Sequence, residues 1–229
     1  MIDIHTHILP LLDDGSSSVE HSLDMINECV RQGVTDVILT PHHRRPYIHN
    51  TTSVKDCFED FKNIIKEQNI PINVYLGQEI YVGDDIKGKV CDQKVLTINN
   101  TKYLLLEFDY NDEQEISEVV YELSRSGYKP IVAHVERYTY VDEQDVYEIR
   151  ESGGLIQVNA QSLVGDTDRR KRKIARKLLK EGLIDFVASD VHHQRTNYMQ
   201  KAYNFVKKKY GVDTAERLFN LNAKEIIKG

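Results

Sequence analysis

Short apolar segments recur along the whole chain, and this recurrence constrains the fold more than any other feature of the sequence. Most of them are apolar at nearly every position, which is typical of strands covered on both faces of a sheet. Seven segments predict strands, at residues 2–5, 36–40, 72–77, 103–108, 130–134, 155–159 and 185–189. Segments with helical spacing separate them, so the sequence predicts parallel β/α units.

The helices are expected between and after these strands. Apolar residues recur at helical spacing within residues 19–33, 53–65, 116–127 and 175–182, and the chain from residue 196 onward has the same character. Residues 17–20 and 222–225 have the spacing of N-terminal capping boxes. Such a chain either closes into a barrel or stays an open doubly wound sheet. No Gly-x-Gly-x-x-Gly follows a predicted strand, so the dinucleotide-binding form of the open sheet lacks its signature.

Composition limits where the protein works and what it contacts. No apolar run approaches the roughly 20 residues needed to cross a bilayer, and the N-terminus has no signal-peptide pattern. We therefore expect a cytoplasmic protein without direct membrane insertion. The net charge of −6 argues against nonspecific binding to nucleic acid. The three cysteines are widely spaced and form no Cys-x-x-Cys, which argues against a disulfide framework or a Cys-rich zinc site.

His, Asp and Glu side chains, which commonly bind metals, lie at the carboxyl ends of the predicted strands, where β/α barrels have their active sites. Six of the seven ends carry such a residue: His5 and His7, Asp13 or Asp14, His42 or His43, Glu79, Glu107, His134, and Asp190 with His192 or His193. Residues i and i+2 on a strand point to the same face, so His5 and His7 can hold one ion together. Imidazole with carboxylate suits Mn, Fe or Zn and excludes a thiolate site.

In this order the motifs resemble those of the polymerase-and-histidinol-phosphatase (PHP) superfamily. The matching segments are Asp3-x-His5-x-His7, Asp14-Gly15, Pro41-His42-His43, Gly77-x-Glu79, the strand-end Glu107, Ala133-His134-x-Glu136-Arg137 and Ser189-Asp190-x-His192. The resemblance runs from Met1 to Asn222-Ala223. It is greatest to the bacterial manganese-dependent protein-tyrosine phosphatases that are encoded with capsule and exopolysaccharide genes.

The resemblance implies a fold and a metal cluster. The fold is a distorted (β/α)7 barrel that forms a single PHP domain over residues 1–229, and the chain length also favours one domain. The cofactor is a cluster of three Mn²⁺ ions, with Fe, Zn or Mg as alternatives. The implied ligands are His5, His7, Glu79 and Asp190 for one metal, Glu79, Glu107 and His134 for a second, and Asp14, His42 and His192 for a third. Asp13, His43 and His193 stay open as alternatives to their neighbours.

The resemblance also implies a reaction. The chain would be a metal-dependent protein-tyrosine phosphatase that acts on phosphotyrosine, with the C-terminal tail of a bacterial tyrosine autokinase controlling capsular or extracellular polysaccharide synthesis as its substrate. Arg137, His42 and Asp190 are the expected catalytic residues. Arg137, Arg44 and Arg45 are the expected phosphate-binding residues, because a guanidinium matches two phosphate oxygens. Three divalent ions bring six positive charges against four ligand carboxylates, and this surplus favours a phosphate dianion.

Other interpretations remain open at this point. A histidinol-phosphate phosphatase would have the same fold, whereas a metallo-amidohydrolase would usually have eight strands and a bridging modified lysine. A cysteine-dependent phosphatase is excluded, since positions 35, 63 and 97, each six residues after a cysteine, hold Thr, Asn and Thr. A barrel that only binds a kinase would be expected to lack some of the metal ligands.

Single residues also have other interpretations. Arg44 and Arg45 can be solvated loop charges, and Arg137 can pair with Glu136 or with a ligand carboxylate. Glu136 can be a surface or supporting residue. The basic run 169–173 is read as a solvated helix face, with docking of an acidic kinase tail as the alternative. The general acid and the oligomeric state are not indicated.

Overall fold

The computed structural model describes residues 1–83, 85–165, 167–193 and 195–228. Within these ranges there are nine short strands, and helices separate most of the consecutive strands. The strands are β1 (Ile2–Thr6), β2 (Asp36–Leu39), β3 (His42–His43), β4 (Asn73–Leu76), β5 (Glu79–Tyr81), β6 (Tyr103–Glu107), β7 (Lys129–Val132), β8 (Leu155–Asn159) and β9 (Phe186–Ala188). A strand therefore lies at every one of the seven predicted positions.

The helices occupy the segments between the strands and the C-terminal part of the chain. They are α1 (Val19–Arg31), α2 (Thr51–Glu67), α3 (Ile86–Cys91), α4 (Ile116–Arg125), α5 (Glu143–Glu151), α6 (Ala160–Val164), α7 (Arg169–Glu181), α8 (Met199–Tyr210), α9 (Val212–Glu216) and α10 (Asn222–Lys228). Short 3₁₀ turns cover Ile98–Asn100 and Val135–Arg137, and a π-helical segment, Arg217–Leu221, joins α9 to α10. Among these described helices, none combines the length and apolar character needed to cross a bilayer.

The strands form two sheets in which every pairing is parallel. One sheet has the order β1-β2-β4, and the other has the order β3-β5-β6-β7-β8-β9. The predicted second and third strands are each continued by an additional short strand, β3 or β5. The break between β2 and β3 contains Pro41, which has no N–H to donate to the hydrogen bonds between strands. Backbone bonds from Gly77 to Leu39 (2.9 Å) and from Glu79 to Pro41 (3.2 Å) keep the two chain segments side by side across the breaks.

The two sheets meet where the first and last strands end. Thr6 forms a parallel bridge with Val191. The His7 N–H donates to the Val191 carbonyl at 3.0 Å, and the Asp190 N–H donates to the His5 carbonyl at 2.9 Å. The result is a curled parallel α/β structure in which the carboxyl ends of β1 and β9 are adjacent. A closed barrel of seven units stays a prediction.

Apolar side chains cover both faces of the strands, as the unbroken apolar character of the segments predicted. Val37 and Leu104 belong to the larger cluster, which the helices cover, whereas the neighbouring Ile38 and Leu105 belong to a second, smaller cluster. Ile226 of α10 packs into the smaller cluster. Burying one such side chain contributes about 1.5–3 kcal/mol, so the apolar strands are strongly held between two layers.

The last helix lies near the amino ends of the strands. Asn99, in the turn before β6, donates a hydrogen bond to the Ile227 carbonyl of α10 at 3.1 Å. The opposite ends of the strands are therefore not covered by α10, and the predicted metal ligands lie at those ends.

Neither predicted capping box forms. Helix α1 is capped by Ser18, whose side chain accepts from the His21 N–H, so the cap lies one residue later than predicted. Asn222 has helical backbone angles (φ −62°, ψ −41°) and follows the π-helical segment directly. Its side-chain amide instead donates to the Asp185 carbonyl at 2.7 Å. A tertiary contact thus uses the side chain that local spacing assigned to a cap.

The basic run 169–173 begins α7, and part of it supports the loop after β7. Arg170 donates to the carbonyls of Glu136 (3.3 Å) and Tyr138 (2.5 Å). Arg172 donates to the Gly165 carbonyl at 2.6 Å. Since these two guanidinium groups bind backbone oxygens, only part of the run is a solvated helix face.

Candidate metal centre

All nine side chains in the implied ligand sets lie in one cluster at the carboxyl ends of the strands. Their nitrogen and oxygen atoms form four overlapping groups, each within 4.8 Å, and every member except Asp14 is buried. The groups are His7, Asp14, His42 and His192; His5, His7 and Asp190; His5, Glu79 and His134; and His42, Glu79 and Glu107. Because they share members, the cluster is continuous and has room for more than one ion.

The spacing around His5 and His7 is that of ligands around a shared ion. Their Nε2 atoms are 3.1 Å apart. Glu79 oxygens lie 3.3 Å from His5 Nε2 and 3.2 Å from His7 Nε2, and Asp190 Oδ1 lies 3.5 Å from His7 Nε2. Ligands at about 2.1 Å from one metal in tetrahedral or octahedral geometry are roughly 3.0–3.4 Å apart. The distances among His5, His7 and Glu79 therefore fit one ion, and Asp190 Oδ1 lies slightly farther out, 3.7 Å from His5 Nε2.

Glu79 is at the centre of the cluster. One carboxylate oxygen faces His134 Nε2 at 2.7 Å, and the other lies 2.8 Å from His42 Nδ1 without hydrogen-bond alignment. Burial disfavours the charged carboxylate, but His5 and His42 more than compensate and hold the pKa of Glu79 well below its usual range. An ionised carboxylate with imidazoles on both oxygens suits a ligand that bridges two metals.

Several buried atoms of the cluster have no hydrogen-bond partner. Within the described residues these include Glu79 Oε2, Glu107 Oε2, His42 Nδ1 and His134 Nδ1. An unsatisfied buried polar atom costs about 1–3 kcal/mol, so such a concentration needs an explanation. Divalent ions would satisfy the unpartnered oxygens of Glu79 and Glu107, and a donor set of imidazole nitrogens and carboxylate oxygens therefore fits a metal centre.

Three imidazoles of the cluster have raised pKa values, and the Asp13 carboxylate raises that of His7 despite burial and the neighbouring His42. Burial also disfavours the charged forms of His5 and His42, but Glu79 outweighs it and raises the pKa of His5 to about 9 and that of His42 to about 10. Burial likewise opposes ionisation of Asp190, yet His5 and Arg137 bring its pKa well below the usual value. Protons on imidazole thus balance carboxylate charge at the positions where cations would bind.

The structure distinguishes between the neighbouring residues that the sequence left open. Asp14 Oδ1 lies 3.3 Å from His42 Nε2 and 3.6 Å from His192 Nε2. Asp13 lies behind the cluster, where it accepts from His7 Nδ1 at 2.7 Å and from the His42 N–H at 2.9 Å. His193 instead contacts the ring of His21, with centroids 4.0 Å apart.

His43 is also outside the cluster, and its buried Nδ1 has no partner within the described ranges. The adjacent His42 takes part in two of the four groups. On a strand, successive side chains point to opposite faces, which explains why only one of the two histidines in β3 reaches the cluster.

Gly15 allows the loop with Asp13 and Asp14 to approach β1. A Cβ atom at this position would lie 2.0 Å from the His7 carbonyl oxygen and 2.5 Å from its Cβ. No other residue fits there without a shift of the loop. The Asp-Gly motif therefore has a steric reason, since the glycine brings both aspartates to the end of the first strand.

Two residues of the cluster have left-handed backbone conformations. His134 follows β7 with φ 32°, and Asp190 follows β9 with φ 50°. This region costs about 1–2 kcal/mol for a residue with a Cβ, so surrounding contacts must hold it. Asp190 Oδ2 accepts from Asn159 at 2.8 Å, from Arg137 at 3.0 Å and from Arg195 at 3.0 Å. These three donors fix its carboxylate.

The three predicted phosphate-binding arginines differ in position. Arg137 is 22% exposed, and its guanidinium lies 4.4 Å from the ring centre of Tyr110. Arg44 reaches Glu107 at 3.6 Å and Asp14 at 3.5 Å. The Arg45 side chain is exposed and, in the part of the chain that is described, forms no ion pair with the cluster. Arg137 and Arg44 therefore lie at the rim, and Arg137 also pairs with a candidate ligand, as its alternative interpretation stated.

Sequence reasoning missed several supporting residues. Gln157 accepts from His5 Nδ1 (3.1 Å) and from the His134 N–H (2.8 Å). The Tyr110 hydroxyl donates to Glu107 at 2.5 Å, and Arg195 holds Asp190. Polar residues at 157 and 159 of an otherwise apolar strand were the available signal, because they share one face.

Glu136 is fully buried, so its interpretation as a surface residue was wrong. It accepts from the Asn159 N–H at 3.0 Å and from the Ser162 hydroxyl at 2.6 Å. It therefore supports the strand end that carries Asn159, at a position that the apolar pattern of the neighbouring residues did not reveal.

Comparison with known proteins points to one family. A family described as "Capsular polysaccharide synthesis, CpsB/CapC" matches residues 1–228. The chain is 33% identical over 217 residues to tyrosine-protein phosphatase YwqE of Bacillus subtilis, covering 92% of this chain and 85% of that protein. It is 34% identical over 241 residues to tyrosine-protein phosphatase CpsB of Streptococcus agalactiae, covering 100% of this chain and 98% of that protein.

A solved structure is similar over the same extent. It comes from work on YwqE from Bacillus subtilis and CpsB from Streptococcus pneumoniae, described there as unique metal-dependent tyrosine phosphatases, and matches with a TM-score of 0.94 and 32% identity. The match covers 100% of this chain and 94% of that one. The resemblance inferred from the motifs is thus confirmed, and the chain belongs to the CpsB/CapC family of capsular polysaccharide synthesis.

Proposed function

We propose that this chain is a metal-dependent protein-tyrosine phosphatase, a phosphoric monoester hydrolase that releases phosphate from phosphotyrosine. One observation carries the proposal: a cluster of nine His, Asp and Glu side chains, eight of them buried, lies beside the rim arginines Arg137 and Arg44. The tyrosine-phosphatase names of relatives that match nearly the whole chain support it.

The cofactor is proposed to be a cluster of three Mn²⁺ ions, with Fe, Zn or Mg as alternatives. One ion would be held by His5, His7, Glu79 and Asp190, a second by Glu79, Glu107 and His134, and a third by Asp14, His42 and His192. The short distances within the cluster and its unpartnered buried oxygens support these sets. When bound, such ions supply Lewis acidity for water and for the phosphoryl oxygens.

Arg137 is proposed to bind the phosphate. One guanidinium nitrogen is used by Asp190, and within the described residues the other nitrogens have no partner. Stacking on Tyr110 restricts the planar group, so it is oriented before substrate arrives and can bind two phosphate oxygens. Arg44, 3.6 Å from Glu107, would bind phosphate from the opposite loop. Arg45 is proposed to act outside the cluster.

His42 and Asp190 are proposed to act in catalysis as ligands that set the positions of the ions. The tyrosine leaving group needs little help from the protein. A phenol has a pKa of about 10, so its anion leaves more easily than an alkoxide does, and we assign no general acid.

We further propose that the two sheets form one distorted (β/α)7 barrel and that residues 1–229 form a single PHP domain. The Thr6–Val191 bridge and the bonds across the breaks in the second and third strands support this count. The proposed substrate is the C-terminal tail of a tyrosine autokinase in the cytoplasm, which is consistent with the capsule-synthesis description of the family.

The decisive experiment compares a phosphotyrosine peptide with histidinol phosphate, using chelated protein and protein reloaded with Mn²⁺. We expect activity on the peptide that is lost on chelation and returns with Mn²⁺. Glu79→Gln should lose bound metal and activity, whereas Glu122→Gln, an exposed carboxylate paired with Lys87, should keep both. Activity that survives full chelation would refute the metal mechanism, and preference for histidinol phosphate would refute the tyrosine-phosphatase assignment.

A further inference from the structure

A cavity opens beside the metal cluster, and Arg44 contributes to both. Its volume is about 800 Å³, within the range of about 300–1,000 Å³ that small-molecule sites usually have. The loop after β3, the start of α2, β5 and the α3 region form its walls. We call it the basic groove and define it by His43, Arg44, Arg45, Ile48, Lys89 and Lys94.

The basic groove concentrates positive charge in a chain whose net charge is −6. Arg44, Arg45, Lys89 and Lys94 line it, and no Asp or Glu is among its described lining residues. Lys94 is paired with Asp92 at 2.7 Å. The side chains of Arg45 and Lys89 have neither an ion pair nor a hydrogen bond to any described residue. These cations are therefore available to an anionic ligand.

The start of α2 adds to this potential. Asn50 and Thr51, at the N-terminus of this 17-residue helix, line the groove, and the first turn contains no acidic residue. The N-terminus of a helix carries about half a positive charge. This charge is not neutralised locally, so it adds to the attraction of the groove for anions.

The groove also has polar and apolar groups without partners. Ile48 is 54% exposed on its wall. His43 is only 8% exposed, and its Nδ1 has no hydrogen-bond partner among the described atoms. Cations, an exposed aliphatic side chain and an unused imidazole together suit a peptide segment rather than an isolated inorganic anion.

The position of the groove relates this segment to the metal cluster. Arg44 lines the groove and also reaches the cluster carboxylates of Glu107 (3.6 Å) and Asp14 (3.5 Å). A peptide with its phosphotyrosine at the cluster would therefore extend past Arg44 toward Lys89. We propose that the basic groove binds acidic residues flanking the phosphotyrosine, so that the enzyme selects acidic phosphopeptides. This inference rests on the proposed phosphatase function.

The test uses three substrates and the Mn²⁺-loaded full chain. The first substrate is a phosphotyrosine peptide with Asp and Glu on both sides of the phosphotyrosine. The second is the same peptide with Asn and Gln in place of Asp and Glu. The third, p-nitrophenyl phosphate, is the reference without flanking residues. An exposed charge pair contributes up to about 1 kcal/mol, or about fivefold. Two cations of the groove, Arg45 and Lys89, can each form such a pair, so we expect kcat/KM to favour the acidic peptide about tenfold. This preference should decrease in 1 M salt, where the Debye length is about 3 Å.

Charge reversal in the groove should remove the preference. In Lys89→Glu/Lys94→Glu the ratio of acidic to neutral peptide should fall to about one or below. Lys87→Glu is the matched control, because Lys87 is on the same helix but is paired with Glu122 and does not line the groove. This control should keep the wild-type ratio.

Binding of the same peptides with a nonhydrolysable phosphonate, followed by fluorescence anisotropy, reports on the groove independently of turnover. Equal binding and equal kcat/KM for both peptides in the wild type would overturn the inference, and so would a preference that survives in the double variant. Absence of hydrolysis of all three substrates would instead refute the proposed function. Acid-selective binding that the double variant loses would then still support the groove.

Discussion

Gln157 offers a sharp test of how the metal cluster is organised. Its side-chain oxygen accepts from the His134 N–H at 2.8 Å and from His5 Nδ1 at 3.1 Å, and its amide donates to Asn159 at 2.8 Å. Because that oxygen can only accept, His5 must donate through Nδ1. The other ring nitrogen, Nε2, then faces Glu79 and can bind a metal once it has lost its proton. Gln157→Leu keeps a similar side-chain volume but removes the acceptor.

The structure sets the magnitude of the effect. The substitution leaves two buried donors without a partner, each costing about 1–3 kcal/mol, and the leucine offsets part of this by apolar burial. We expect the metal-free protein to lose about 3 kcal/mol, which lowers Tm by about 6–12 °C in a chain of this length. Loss of a group that orients a ligand usually lowers metal affinity about 10–100-fold.

The assay is a titration of metal-free protein with Mn²⁺ in competition with a fluorescent chelator, together with thermal unfolding followed by circular dichroism. Gln78→Leu is the matched control. Gln78 is also buried, but its oxygen accepts from the Leu96 N–H at 2.8 Å and, within the described residues, has no hydrogen bond to an imidazole. The Gln78→Leu substitution should lower Tm and leave the affinity for Mn²⁺ unchanged.

Two results would refute the reasoning. If Gln157→Leu binds Mn²⁺ as tightly as the wild type, the orientation of His5 does not depend on this hydrogen bond. If both variants lose affinity equally, the loss follows from general destabilisation and not from the His5 contact.

Three further predictions follow from the cluster. Arg137→Ala should raise KM for p-nitrophenyl phosphate about 10–100-fold, because it removes charge-assisted hydrogen bonds. Its metal content by mass spectrometry should stay normal, since Asn159 and Arg195 still hold Asp190; loss of metal would make Arg137 a structural residue. The pKa values of His5 and His42 are raised from 6.5 to about 9 and about 10, so their imidazolium forms stabilise the metal-free protein below about pH 6.5 and lose this effect as the pH rises through 9 to 10. Metal binding requires neutral imidazoles. Loading with Mn²⁺ near pH 7.5 should therefore release about two protons, which a pH indicator in weak buffer would detect. If no proton is released, these rings are already neutral in the metal-free protein. Gly15→Ala places a Cβ 2.0 Å from the His7 carbonyl oxygen, so the loop with Asp14 must move and the Mn²⁺ stoichiometry should fall; an unchanged stoichiometry would show that the loop adapts.

The strands and the types of ligand could be predicted from the sequence because local patterns encode them. Strands buried on both faces must be apolar at nearly every position, and seven such segments mark seven of the nine described strands. The short strands β3 and β5 were not predicted. In parallel β/α units the carboxyl ends meet, so polar residues such as Glu79 and His134 were expected to lie together. The motif order was sufficient to identify the family, which the comparisons confirmed.

The tertiary structure decided which of two adjacent residues reaches the cluster and what supports it. Asp14 and not Asp13 faces the imidazole ring of His42, because the approach of Gly15 to β1 sets the turn of that loop. Asp190 is turned by a left-handed backbone angle that contacts with distant residues maintain. Gln157 is 152 residues from the histidine it orients. A local pattern records burial and side-chain type, whereas the direction of a side chain at a strand end depends on contacts between segments that only the folded chain brings together.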